Sequence, residues 1–189
     1  MIPGYNPGMR NTLLLIDIQN DYFPGGRMEL EGAREAALRA GRLLDTFRQQ
    51  PWPTVHIQHI ATRPGSAFFL PATPGAGIHA LVAPLPGETV IEKHYPNAFR
   101  ETVLLDHLKK TGTERLVLCG MMTHMCVDAS LRAAADLGFQ VMVAADACAT
   151  RSLAYGDTTV PAAHVQATLL AAFKAYGQVL GAEELITQL

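Results

Sequence analysis

The sequence predicts a three-layer α/β fold: a doubly wound, mainly parallel sheet of five to six strands in the order 3-2-1-4-5-6, with helices on both faces. Three observations predict it. Strand-sized apolar runs alternate with stretches of helical periodicity along the whole chain. The runs are apolar at consecutive positions, as strands covered on both faces are. Parallel neighbours need crossover connections, and the periodic stretches supply them. At 189 residues, with no repeat and no domain-scale linker, the chain reads as one domain over 1–189.

Each element has its own signal. "NTLLLID" is a buried-strand run, closed by the turn-like "PGG" at 24–26. From Leu30 to Gln49, Ala33, Ala36, Ala37, Ala40, Leu44 and Phe47 share one helical face. "PTVHIQHI" is the second strand. Residues 61–87 are rich in Pro and Gly and read as a long loop, a length that usually signals function. "ETVIEK" is a short third strand. "FRETVLLDHLKKTG" reads as a helix stopped by Gly112. "ERLVLCG" is the fourth strand and "HMCVDASLRAAADLG" the next helix, with Asp128, Arg132 and Asp136 along a solvent face. "QVMVAAD" is the fifth strand, and "PAAHVQATLLAAFKAYG" a helix with Pro161 in its first turn. "QVLGAEELITQL" adds a sixth strand and a short final helix.

Composition narrows the function classes. The chain is 49% hydrophobic and 17% charged with a formal net charge of -2. That balance gives no electrostatic reason to expect nucleic acid or an anionic membrane as partner. No apolar stretch reaches 18 residues, and the opening "MIPGYNPGMRN" has no signal-like apolar segment. Three cysteines without a framework spacing fit a reducing cytoplasm, the expected location. There is no CxxC, HxH or HExxH arrangement, and the seven histidines are scattered, so neither a metal nor another cofactor is expected.

In a doubly wound sheet, ligands bind beyond the carboxyl ends of the strands, where the strand order reverses. Asp17 closes strand one, Lys93 closes strand three, and Cys126 starts the helix after strand four. The predicted order brings Asp17 and Cys126 together at the switch point. Lys93 starts two strand positions away, roughly 10 Å, and must bridge that gap. A first-turn cysteine meets unpaired N–H groups and the positive end of the helix dipole, which favour thiolate, and an ammonium nearby adds to this. Asp17 could accept the thiol proton, and N–H groups of "MMTHMC" could hold an oxyanion. The plainer readings are a buried Cys126 packed as a small hydrophobe, Asp17 capping the turn "DIQND", and Lys93 as a solvated strand end. Cys119 and Cys148 read as structural. What raises the three residues together is their shared end of the sheet.

These residues resemble a family. "LLLIDIQNDYF", "VIEKHYPNAF" and "LVLCGMMTHMCVDASLRAAADLGFQVMVAADACAT" resemble, in order and across residues 12 to 176, the isochorismatase-like cysteine hydrolases. The resemblance implies a catalytic triad of Asp17, Lys93 and Cys126. It also implies a non-proline cis peptide at Met122–Thr123 beside an oxyanion hole, with the N–H groups of Met122 and Cys126 as donors. Nicotinamidase relatives carry a metal-binding D-x-H segment after strand two. Here that region reads "HIQHIATRPGSAFF", with no Asp, which argues against a metal. Phe68 and Phe69 of the long loop, with Phe23 and His124 beside the motifs, are the expected pocket lining.

The resemblance implies hydrolysis of a small amide, ureido or carbamoyl compound through a thioester-type intermediate, because the cysteine is retained. Two alternatives stay open: cysteine-independent hydrolysis of an isochorismate-like vinyl ether, and a non-catalytic binding or assembly subunit. The family's habit also implies a homo-oligomer, a dimer or tetramer, acting on a small-molecule substrate.

Overall fold

The computed structural model describes residues 8–189; "MIPGYNP", part of the segment read as carrying no signal, lies outside the described residues. Six strands make one parallel sheet: β1 (Asn11–Ile16), β2 (Thr54–His59), β3 (Thr89–Lys93), β4 (Arg115–Met121), β5 (Gln140–Ala149) and β8 (Gln178–Leu180). Their order is β3-β2-β1-β4-β5-β8. Since β8 is the sixth strand read from the sequence, this is the doubly wound order expected. The intervening β6 (Leu153–Tyr155) and β7 (Thr158–Val160) form a separate antiparallel hairpin that the sequence reading missed.

Strand alternation divides β1 between two cores. Leu13 and Leu15 point to the face covered by α1 (Ala33–Gln49) and α5 (Ala182–Gln188), whereas Leu14 and Ile16 point to the opposite one. That second face is covered by α2 (Leu104–Lys110), α3 (Asp128–Asp136) and α4 (Ala162–Phe173), through Leu108, Leu131 and Phe173. All six apolar residues expected on the α1 face are buried. Each such Leu or Phe stabilises the fold by about 1.5–3 kcal/mol relative to exposure.

Three helix and strand limits differ from expectation, each for a local reason. The helix expected from Phe99 begins only at Leu104, because Glu101 adopts φ 56, which interrupts any helix there, and Thr102 Oγ1 accepts the Leu104 N–H at 3.3 Å. The helix expected from His124 divides into one π-helical turn, Thr123–Val127, and α3. Strand β5 runs on through Cys148, expected in a loop, by means of an irregularity opposite Cys119. Gly120 beside it has φ 136, and a Cβ there would lie 2.0 Å from the Ile16 carbonyl oxygen. Only glycine lets β4 lean this closely on β1, just below the site.

Candidate active site

Asp17 is the residue immediately after β1 and holds a left-handed conformation, φ 51. Its N–H donates to the Ile57 carbonyl at 3.1 Å and its carbonyl accepts from Gln19 N–H at 2.9 Å, so the unusual backbone is fixed from both sides. The rest of "DIQND" ties down the long loop. Gln19 Nε2 donates to the carbonyls of His59 (2.9 Å) and Ala76 (2.7 Å), and its Oε1 accepts from His59 N–H at 2.7 Å. Asn20 Nδ2 donates to the Pro74 carbonyl at 2.8 Å. Asp21 accepts from Phe69 N–H at 2.6 Å and from Arg27 N–H at 3.2 Å. A Cβ on Gly75 would lie 2.1 Å from Asp21 Oδ1, so the loop can approach only as glycine.

Lys93 closes β3 with its whole side chain buried. It pairs in register with His59 of β2, and its stem reaches past that strand's end to Asp17. Nζ lies 2.6 Å from Asp17 Oδ2, 3.0 Å from His59 Nδ1 and 3.1 Å from the Tyr95 carbonyl. The gap that topology alone left open is thus closed by an extended lysine. The Asp17 contact is an ion pair by distance; no N–H or O–H is aligned on either carboxylate oxygen as a hydrogen bond, among the described residues.

Cys126 lies in the π-helical turn, almost wholly buried. Its Sγ, an Asp17 carboxylate oxygen and a His59 ring nitrogen lie within 4.8 Å of one another. The structure therefore brings Asp17, Lys93 and Cys126 into one cluster. It adds His59, which the sequence reading left among scattered histidines, although its place at the carboxyl end of strand two was the available signal.

The electrostatics correct one expectation. Burial pushes the Cys126 thiol well above its ordinary range, the Asp17 carboxylate pushes it further, and Lys93 offsets only part of this. That direction runs towards the thiol and against the thiolate expected from a helix start. For Lys93, burial lowers the ammonium's pKa, but Asp17 and Cys126 more than reverse it, so the net direction is upward and the charge stays. Burial, then the Lys93 charge, lower His59 to about 4, leaving a neutral ring whose Nδ1 accepts from Lys93. Tyr22, buried below the cluster, is raised well above its usual value chiefly by burial, and stays a phenol.

The Asp17, His59 and Cys126 atoms are the one trio with metal-ligand spacing among the described residues. They do not fit a cation well. The Lys93 ammonium already contacts two of the three atoms, so a metal ion there would meet a like charge at contact distance.

The non-proline cis peptide is at Met121–Met122, one residue before the expected Met122–Thr123. The Met122 carbonyl accepts from Met125 N–H at 3.0 Å and Val127 N–H at 3.3 Å, which makes the next peptide the ordinary start of the turn. The reversal is left to the junction where β4 ends. Thr123 Oγ1 donates to the Ala149 carbonyl at 3.1 Å and ties the turn to β5. Of the expected pocket residues, Phe68 and Phe69 line a cavity of about 230 Å³ that reaches the cluster at His59 and runs past Met125, next to Cys126. Phe23 and His124 do not line it. Phe23 stacks on the His79 ring at 3.6 Å, and His124 Nδ1 lies 2.5 Å from Thr150 Oγ1.

Comparison with known proteins bears on this arrangement. The model of the isochorismatase domain matches residues 11–184. The isochorismatase family protein YddQ of Bacillus subtilis is 48% identical over 164 residues, covering 87% of this chain and 91% of that one. Maleamate amidohydrolase of Pseudomonas putida is 31% identical over 150 residues, 72% of this chain and 70% of that one. A crystal structure from Oleispira antarctica, described as an isochorismatase hydrolase, superposes with a TM-score of 0.92 at 46% identity, over 97% of this chain and 100% of the other.

Proposed function

This chain belongs to the isochorismatase family of hydrolases, and from that premise we propose a cysteine hydrolase that cleaves a C–N bond of a small amide, ureido or carbamoyl compound. The observation that carries the reading is a thiol, a carboxylate and an ammonium gathered in one buried cluster beside a small cavity. A relative that is an amidohydrolase supports the choice of bond.

The raised thiol pKa sets the order of events. Asp17 takes the Sγ proton as Sγ bonds to the substrate carbonyl carbon, so thiolate forms only during attack. The carbonyl π electrons move to oxygen, and the Met122 N–H is the donor for that oxyanion, with Cys126 N–H as the second. The C–N bond then breaks, and the leaving nitrogen takes the proton from Asp17. Water attacks the thioester, giving a proton to Asp17; the C–S bond breaks and the proton returns to sulfur. Lys93 stays charged throughout and holds the Asp17 carboxylate in place. No cofactor enters this scheme.

We also propose that residues 1–189 form one domain, working in the cytoplasm as a homo-oligomer. In support, the β6–β7 hairpin is exposed, with Tyr155 91% accessible, and two-stranded ribbons are marginal alone. No helix of the described residues is long and apolar enough to cross a membrane.

The test is a panel of small amides and ureides read by ammonia release, with Cys126→Ala alongside. The variant should keep its circular dichroism and lose turnover by on the order of 10⁴-fold or more. Intact-mass spectrometry of wild type during turnover should find an acyl adduct on Cys126. Turnover that survives Cys126→Ala, above all of a vinyl ether, would replace the covalent route by cysteine-independent use of Asp17 and Lys93.

A further inference from the structure

The Lys93 ammonium faces three partners, and the fold does not hold them equally. Asp17, with Oδ2 at 2.6 Å, and His59, with Nδ1 at 3.0 Å, stand at the ends of β1 and β2, strands paired on both sides. The third, the Tyr95 carbonyl at 3.1 Å, lies on the loop 94–103 that leaves the edge strand β3. No strand neighbour fixes that loop.

It is fastened one peptide further on, by a side chain of the nucleophile's own helix. Ser130 is fully buried on α3, about one turn beyond Cys126. Its Oγ donates to the Pro96 carbonyl at 3.4 Å and accepts the Ala98 N–H at 3.0 Å. The other hydrogen bonds of residues 96–98 stay inside the loop. Asn97 accepts from Phe99 N–H at 2.8 Å and Arg100 N–H at 3.1 Å, and the Ala98 carbonyl accepts from Thr102 Oγ1 at 2.6 Å. Among the described residues, one hydroxyl therefore makes all the hydrogen bonds from this stretch to another element. A serine within a helix can turn its hydroxyl back to the carbonyl four residues earlier. Ser130 spends its hydroxyl on the loop instead.

We propose that Ser130 is a positioning residue for the Lys93–Cys126 pair: by bolting the loop 94–103 to α3 it keeps the Tyr95 carbonyl on the ammonium, and so sets where the ammonium stands relative to the sulfur. Lys93 is the group that counters burial at the Cys126 thiol, so an ammonium that drifts leaves a poorer nucleophile. The proposal rests on the hydrolase reading for turnover alone, because the sulfur can be read without a substrate.

The test is the rate of Cys126 alkylation by iodoacetamide at about pH 8.5, followed by peptide mass spectrometry. Ser130→Ala removes the hydroxyl and suits a helix, and Ser130→Thr keeps the hydroxyl. Alkylation should slow by about three- to tenfold in Ser130→Ala and stay near the wild-type rate in Ser130→Thr. A loop that is only loosened would expose the sulfur and speed alkylation, so the two roles have opposite signs. In the Asp17→Asn, Lys93→Met background no ammonium is left to place, and adding Ser130→Ala should change the rate by less than about twofold. Where an amide is turned over, Ser130→Ala should lower kcat by roughly 10–100-fold with KM within about twofold. Slowed alkylation in a protein that hydrolyses no amide supports this inference and counts against the hydrolase reading alone. Faster or unchanged alkylation in Ser130→Ala, a threonine variant as slow as alanine, or equal slowing without Lys93 overturns the inference, even where amide hydrolysis is found.

Discussion

Two clusters that each hold a histidine, a carboxylate and a cation occupy β2 and its neighbours, one half-buried around Glu88 and one with carboxylate and ammonium wholly buried around Asp17. Around the start of β3, Glu88 accepts from Arg48 Nε (2.8 Å), Arg48 Nη2 (2.8 Å) and Leu85 N–H (2.8 Å), with His56 Nε2 at 3.1 Å. Beyond the carboxyl end of β2, Asp17 has one ammonium at 2.6 Å and no aligned hydrogen bond. The difference lies in polar satisfaction. The Glu88 cluster ties the end of α1 to two strands through four partners, whereas Asp17, with one ammonium, keeps acceptor capacity for a proton that arrives during a reaction. A many-partnered carboxylate at a half-buried rim stabilises a fold, and a buried one paired with a single ammonium is ready for chemistry.

The strongest way to break this comparison is to remove the charges of the Asp17 cluster together. Asp17→Asn with Lys93→Met leaves no unpaired ion behind, and such replacements are often neutral or stabilising. Turnover should fall by on the order of 10³-fold or more while the urea midpoint holds or rises. A midpoint that drops with the double variant would make the Asp17 cluster structural after all.

His59 sharpens the contrast with a smaller effect. It contacts Lys93 rather than the sulfur's attack path, so it positions the ammonium. His59→Phe removes the acceptor at 3.0 Å and should lower kcat by roughly 10–100-fold with little change in KM, and His59→Asn, which offers an oxygen acceptor, should recover most of it. Because burial and Lys93 hold the ring neutral down to about pH 4, wild type should lose activity as pH falls through that value and an imidazolium faces the ammonium. The acid limb should move in His59→Asn. An unmoved limb, or no rescue by asparagine, would assign His59 to packing alone.

Much of this was legible beforehand, for identifiable reasons. Consecutive apolar residues read as parallel strands, and the rule that ligands sit at strand ends located Asp17 and Cys126. What stayed hidden depends on atoms rather than patterns. The reach of Lys93 past β2 needs an extended side chain that no spacing reports. The thiol's upward shift is a balance of burial and the Asp17 charge against Lys93, which only the depth and distances in the folded chain decide. Glu101 at φ 56 shortens α2 without any glycine to announce it, and the β5 irregularity that places Cys148 in a strand requires the neighbouring β4. Gln19 and Asp21 looked like turn residues, yet their side chains reach 40 and 48 positions ahead to His59 and Phe69.

The smallest effect concerns the other cluster and reads stability instead of rate. Hydrogen bonds from Arg48, with lesser help from Leu85 and His56 and against a cost of burial, hold Glu88 at about 2, below its reference of 4.5. The sign follows from proton linkage. The folded state binds the Glu88 proton less readily than the unfolded chain, so its stabilisation is complete above pH 4.5 and is lost as pH falls from there through about 2. Glu88→Gln should therefore be less stable than wild type by about 1–2 kcal/mol at pH 7, a discounted figure because the cluster's rim meets solvent. Urea titrations of both proteins from pH 7 down to pH 2 should show the gap closing in acid. Comparing the two proteins cancels the other carboxylates, since they titrate in both. At pH 7 the variant's turnover per folded molecule should stay within about twofold of wild type, given that Glu88 touches none of the catalytic side chains. A gap that is constant with pH would mean that the glutamine fails by packing and not by charge, and a collapse of turnover would couple the two ends of the sheet.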